Sequence, residues 1–147
     1  MSVQVPDFDL SGFLPYRISV AAQRISTGLA SQYREIHDIS RADWRVLVHL
    51  LDSGEAGVGE LGQMVNLEKS KVSRAAARLA EQGLIVKIEN ESDRRLVRMS
   101  LTEKGHALMA RLLPVALAYQ ERLETLLGDH LDAVNAALDI LNTEDLS

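Results

Sequence analysis

Residues 68–82 read EKSKVSRAAARLAEQ, and the two faces of this stretch disagree. Val72, Ala75, Ala76 and Leu79 recur at helical spacing and form an apolar stripe whose small side chains let a helix sit close on its scaffold. The opposite face presents Lys69, Ser70, Lys71, Ser73, Arg74 and Arg78. Gly83 follows where a C′ glycine ends a helix. Just upstream, Gly59 to Val65 reads as a short helix with Leu61, Met64 and Val65 apolar, and Asn66 tolerates the left-handed conformation at its end. Two helices joined by so tight a turn cross steeply instead of lying antiparallel, which is a helix-turn-helix.

Beyond Gly83 the period changes from helical to alternating. Leu84, Val86 and Ile88 alternate with Ile85, Lys87 and Glu89, which predicts a strand. Asn90-Glu91-Ser92-Asp93 supplies turn residues, and Leu96 to Leu101 predicts a returning strand with Val97, Met99 and Leu101 on one side. A β-hairpin directly after the second helix of the pair is a wing. Thr102 then caps a long helix running toward Leu127, which Pro114 is expected to kink and Gly128 to end. Asp129 is expected to cap a last helix with Leu131, Val134, Leu138 and Leu141 on one stripe.

On the N-terminal side, Ser11 is read as an N-cap. The repeat of Leu14, Ile18, Ala21, Ala22, Ile25 and Leu29 predicts a helix to about His37, with Pro15 in its first turn. Ser40-Arg41-Ala42-Asp43 has the form of a capping box, opening a helix with Trp44, Leu47, Val48 and Leu51 inward. Ser53 to Gly57 reads as a loop. The expected fold is mainly α with a small β-hairpin, in a single unit spanning 1–147. A winged helix-turn-helix occupies 40–101, and 11–37 with 102–147 form a helical dimerisation region. Neither terminal helix has enough neighbouring chain to cover its apolar face, so a partner chain is the expected cover.

Composition narrows the function. Of the 147 residues 46% are hydrophobic, so a sizeable core forms unaided, and none is cysteine, which excludes disulfides, thiolate zinc sites and thiol redox sensing. The N-terminus shows neither a basic leader nor an apolar run, and the stretch from Leu112 to Ala118 is too short for a bilayer. A cytoplasmic protein without membrane attachment is expected. The net charge of −5 is unevenly placed: Glu68 to Lys104 holds nine basic and six acidic residues, while the remainder carries −8. A basic middle in an acidic frame suits one surface that meets phosphate, or else a solvated surface clustered by chance.

On 68–82, lysine and arginine neutralise phosphates, arginine also grips guanine through two hydrogen bonds, and short hydroxyls reach base edges. Asp93-Arg94-Arg95 sets two guanidiniums beside a turn, where one fits the negative minor groove or pairs with Glu91 or Asp93. Double-stranded DNA is the expected partner. A winged module that binds protein is the alternative, against which Lys69, Lys71, Arg74 and Arg78 count. Catalysis is not expected: His37, His49, His106 and His130 form no recognisable constellation, there is no phosphate-cradling glycine loop, and no cofactor is implied.

The sequence resembles the MarR family of bacterial regulators. The resemblance is carried by Trp44-Arg45-Val46-Leu47, Gly59-Glu60-Leu61, Lys69 to Arg74 with Leu79 and Gly83-Leu84, Asp93-Arg94-Arg95, and Ser100 to Gly105. It implies a homodimer with interlocked terminal helices, recognition helices in successive major grooves and wing arginines in the flanking minor grooves. A pseudo-palindromic operator follows from the two-fold symmetry. Arg94 is expected at the wing tip, with Arg95 either beside it or bracing the wing; sequence does not order the two. The resemblance also implies release by a small aromatic or phenolic anion, with Tyr16, Arg17, Trp44, Arg45 and His49 as candidate ligand residues. The competing reading makes Trp44 a core residue and Arg17 and Arg45 partners in structural ion pairs.

Overall fold

The computed structural model describes residues 2–64, 69–89 and 97–147. Val65, Asn66 and Glu68, the expected hairpin-turn residues 90–93, Arg94, Arg95 and Leu96, and the side chains of Met64 and Lys69 lie outside the described residues. The chain runs α1 (Leu14–Tyr33), α2 (Arg41–Ser53), β1 (Glu55–Gly57), α3 (Val58–Met64), α4 (Lys69–Glu81), β2 (Ile85–Glu89), β3 (Val97–Leu101), α5 (Glu103–Leu127) and α6 (Leu131–Thr143).

The expected helix starts hold where side-chain caps exist. Ser40 accepts from the Asp43 N–H while the Asp43 carboxylate accepts from the Ser40 N–H, closing the capping box of α2. Thr102 accepts from the Gly105 N–H at the start of α5, and Gly83, at φ +76°, ends α4. Two caps differ from expectation. Asp9, not Ser11, caps a short 3-10 turn over Leu10–Gly12, and α1 starts after Phe13 with Pro15 in its first turn. Asp129 lies inside a second 3-10 turn, Gly128–His130, and α6 starts from His130 without a side-chain cap. α5 continues through Pro114.

The expected loop after α2 contains a strand. β1 pairs with β3, giving an antiparallel sheet in the order β1-β3-β2. Three residues carry no alternation of their own, and β1 exists because β3 offers it a ladder. The alternation in β2 also resolves differently. Val86 and Ile88 stand opposite Ser100 and Arg98 on an exposed face, whereas Leu84 and Ile85 at the base of the strand are buried.

The core is built from α2, α3, α4, the sheet and the first half of α5: Val46, Leu47, Leu50, Leu61, Val72, Leu79, Met99, Met109 and Leu112 are all buried. Gly105 admits the start of α5 to this core, because a Cβ there would overlap the Leu84 carbonyl oxygen. Among the described residues the core begins at Tyr33 and ends at Leu112; α6 contributes none of it. Elsewhere α1 meets α5 where Tyr119 donates from its hydroxyl to the Ile25 carbonyl, 2.9 Å away, over the gap left by Gly28.

Candidate nucleic-acid interface

α4 buries Val72, Ala75, Ala76 and Leu79 almost completely. The same helix leaves Ser70, Lys71, Ser73, Arg74 and Arg78 exposed, so the two-faced reading of 68–82 is realised in the fold. Arg74 donates from Nε to the Ser70 carbonyl, 3.3 Å away on its own helix. Among the described residues no carboxylate pairs with Lys71 or Arg74. Arg78 is placed differently: its Nη2 donates to Asp43 Oδ1 at 2.8 Å and reaches Ser40 Oγ at 3.4 Å.

The sheet carries the wing. Its ladder runs from Ile85 opposite Leu101 to Glu89 opposite Val97, so residues 90–96, with Arg94 and Arg95, connect the two strands. On β3, opposite Ile88, Arg98 donates to the carboxylate and carbonyl of Glu55 on β1, and to the Glu60 carboxylate on α3. These bonds, that from Glu55 first, hold its guanidinium above the ordinary arginine value. A bracing arginine thus exists within the described residues at Arg98. Sequence reasoning missed it, since its partners lie 38 and 43 residues away and only the β1–β3 register brings them together.

The five candidate ligand residues fall into two groups. Trp44, Arg45 and His49 share α2 and are half-buried. Trp44 stacks on Tyr33 with ring centroids 5.3 Å apart, and His49 Nδ1 donates to the Arg45 carbonyl at 2.7 Å. Burial, and then the like charge of Arg41, hold Arg45 below its ordinary value. Tyr16 and Arg17 sit exposed near the start of α1, whose other end is Tyr33. At 1.5 Å per residue they stand about 25 Å from the Tyr33–Trp44 stack along the helix. One chain does not unite the two groups.

No described helix is long and apolar enough to cross a membrane, and no described group of His, Asp or Glu is arranged to hold a metal ion.

Residues 37–96 match the sequence profile of the MarR family. A Bacillus cereus protein described as an uncharacterized HTH-type transcriptional regulator is 30% identical over 95 residues, which are 65% of this chain and 63% of that relative. The match therefore spans less than two thirds of the relative's length. Among solved structures, a MarR family transcriptional regulator from Silicibacter pomeroyi DSS-3 superposes with a TM-score of 0.77 at 26% identity, covering 92% of this chain and 99% of that one. Bordetella bronchiseptica BpsR, whose DNA binding is regulated by 6-hydroxynicotinic acid, shares the fold with a TM-score of 0.81 at 20% identity, covering 95% and 100%. Profile and fold agree: residues 37–96 are similar to the MarR family, and the chain takes the winged helix-turn-helix fold of solved MarR family transcription regulators.

Proposed function

We propose that this chain is a sequence-specific DNA-binding transcription regulator that acts as a homodimer and represses from a pseudo-palindromic operator. One observation carries the reading: α4 is clamped to the core by a fully buried apolar face while Ser70, Lys71, Ser73 and Arg74 stand exposed on the other. That face, with Lys69, supplies hydroxyls and cations to a major groove, and Arg94 and Arg95 on the wing supply guanidiniums to the flanking minor groove.

The exposed apolar faces of α1, α5 and α6 support the dimer. Leu117, Leu126 and Ile140 are 66%, 81% and 60% exposed in the single chain, and an apolar cleft of about 360 Å³ between α1 and α5 is lined by Ala21, Ile25, Leu123 and Leu126. A second copy of the same helices covers such surfaces by two-fold symmetry. The proposed effector is a small aromatic anion at Trp44, Arg45 and His49, with Tyr16 and Arg17 arriving from the α1 of the second copy. BpsR, with its 6-hydroxynicotinic acid, is one precedent among proteins of this fold. Such a ligand shifts the balance between DNA-competent and incompetent spacings by its differential affinity for the two.

Selection of purified protein against a random duplex pool, at two salt concentrations, tests the reading. Enrichment of a pseudo-palindrome whose affinity falls steeply with salt is expected. Weak binding without any enriched sequence would replace it with a winged module that binds protein.

A further inference from the structure

Arg78 lies on the same exposed face of α4 as Lys71 and Arg74, yet its surroundings differ. Its guanidinium turns back onto the N-terminus of α2, where Asp43 is 5% exposed and accepts from Arg78 Nη2 at 2.8 Å. The same carboxylate accepts from the Ser40 N–H through its other oxygen at 3.0 Å, and Ser40 Oγ lies within reach of Arg78. Burial, and then the Asp43 charge, hold the hydroxyl of Tyr33, the last residue of α1, above its ordinary value. One carboxylate thus joins the cap of α2 and the middle of α4. The apolar face of α4 packs it on the core through two small residues, Ala75 and Ala76, and two larger ones, Val72 and Leu79. A directional ion pair to a buried carboxylate that also accepts from Ser40 adds a geometric restraint to that packing.

We propose that Arg78 is a positioning residue for DNA reading rather than a phosphate contact: its pair with Asp43 sets the orientation in which α4 presents Lys71, Ser73 and Arg74 to the bases. This rests on α4 being the DNA-reading helix. The two ideas separate cleanly, because a phosphate contact weakens all sequences alike and contributes about one unit to the salt slope, whereas a misoriented helix loses discrimination between sequences.

The test compares wild type, Arg78→Gln, Asp43→Asn and the double variant. Each is titrated against the duplex enriched from the random pool and against the same duplex with one half-site base pair changed, over a salt series well below the melting temperature. Asparagine fits the Asp43 space and still accepts from the Ser40 N–H. Should that variant fail to fold, Arg78→Gln on the exposed side carries the test alone. Both single variants are expected to lose roughly tenfold of the matched-to-mismatched affinity ratio with an unchanged salt slope, and the double variant to lose no more than either. A smaller salt slope with the ratio intact would make Arg78 a phosphate contact and overturn the proposal. A lowered melting temperature with ratio and affinity intact would reduce the pair to a structural one and overturn it equally. Wild type that discriminates no sequence would overturn the DNA reading together with the proposal.

Discussion

Two regions of this chain solve the problem of burial in opposite ways. From Tyr33 to Leu112 the apolar residues of α2, α3, α4, the sheet and the start of α5 find one another and exclude water within a single chain. In α1, the far half of α5 and α6 many apolar residues, Leu14, Ile18, Ile25, Leu117, Leu126 and Ile140 among them, stand exposed, and α6 buries none of its side chains. The first region owes its stability to contacts that do not depend on concentration. In the proposed dimer the second gains further stability on meeting a partner, which would tie its order to protein concentration by mass action. The proposed DNA face sits on the first and the proposed dimer face on the second.

The sharpest way to break this comparison is Gly105→Val. The added side chain would meet the Leu84 carbonyl, a backbone atom already held by its bond from the Thr102 N–H. A loss of about 3 kcal/mol is expected, lowering the melting temperature by roughly 10 °C, whatever the protein concentration. An unchanged melt would show that α5 is free to slide off the winged core.

Leu126→Glu probes the other region. The dimer dissociation constant is expected to rise about a hundredfold, read by sedimentation over a concentration series, while the winged core stays folded. Unchanged sedimentation would remove the α5 face from the interface. Arg74→Ala and Arg94→Ala keep both regions intact, with dimer and melting temperature unaltered. Each is expected to weaken DNA binding by about 1–3 kcal/mol in anisotropy titrations, and normal binding by both would sink the assigned DNA face.

The smallest effect concerns the seam between the regions. Burial, and then the Asp43 charge, raise the Tyr33 hydroxyl above its ordinary 10.0. The folded form thus keeps its proton where the unfolded form ionises. This contribution is fully present below that pH and lost as pH climbs beyond it. Tyr33→Phe is expected to flatten the alkaline loss of stability, measured by denaturant melts above pH 10; an identical slope would place the alkaline loss elsewhere.

Local signals were legible in the sequence and distant pairings were not. The capping box at Ser40–Asp43, the Thr102 cap and the Gly83 stop each depend on residues within four positions, so their chemistry is written in order along the chain. The apolar stripe of α4 is equally local. β1 escaped because three residues have no period and pair only with a strand some forty positions later. Val86 and Ile88 alternate as a buried face would, yet the core turns toward the other side of the sheet at Met99 and Leu101. Arg78 read as one more exposed cation because Asp43, 35 residues earlier, is already accounted for by its cap. For the proposed ligand residues, spacing put Tyr16 and Trp44 on neighbouring helices. The length of α1 then carries Tyr16 far from the Tyr33–Trp44 stack.

The position of Leu112 as the last core residue has a consequence for how the protein is made. On the ribosome a chain folds as its segments emerge, N-terminal units first. Every described residue that the winged core needs has been synthesised once Leu112 is added, whereas α6 is still to come. The order of emergence thus favours the winged core, whose last buried residue leaves the ribosome ahead of α6, over the proposed dimer surface, which is completed last.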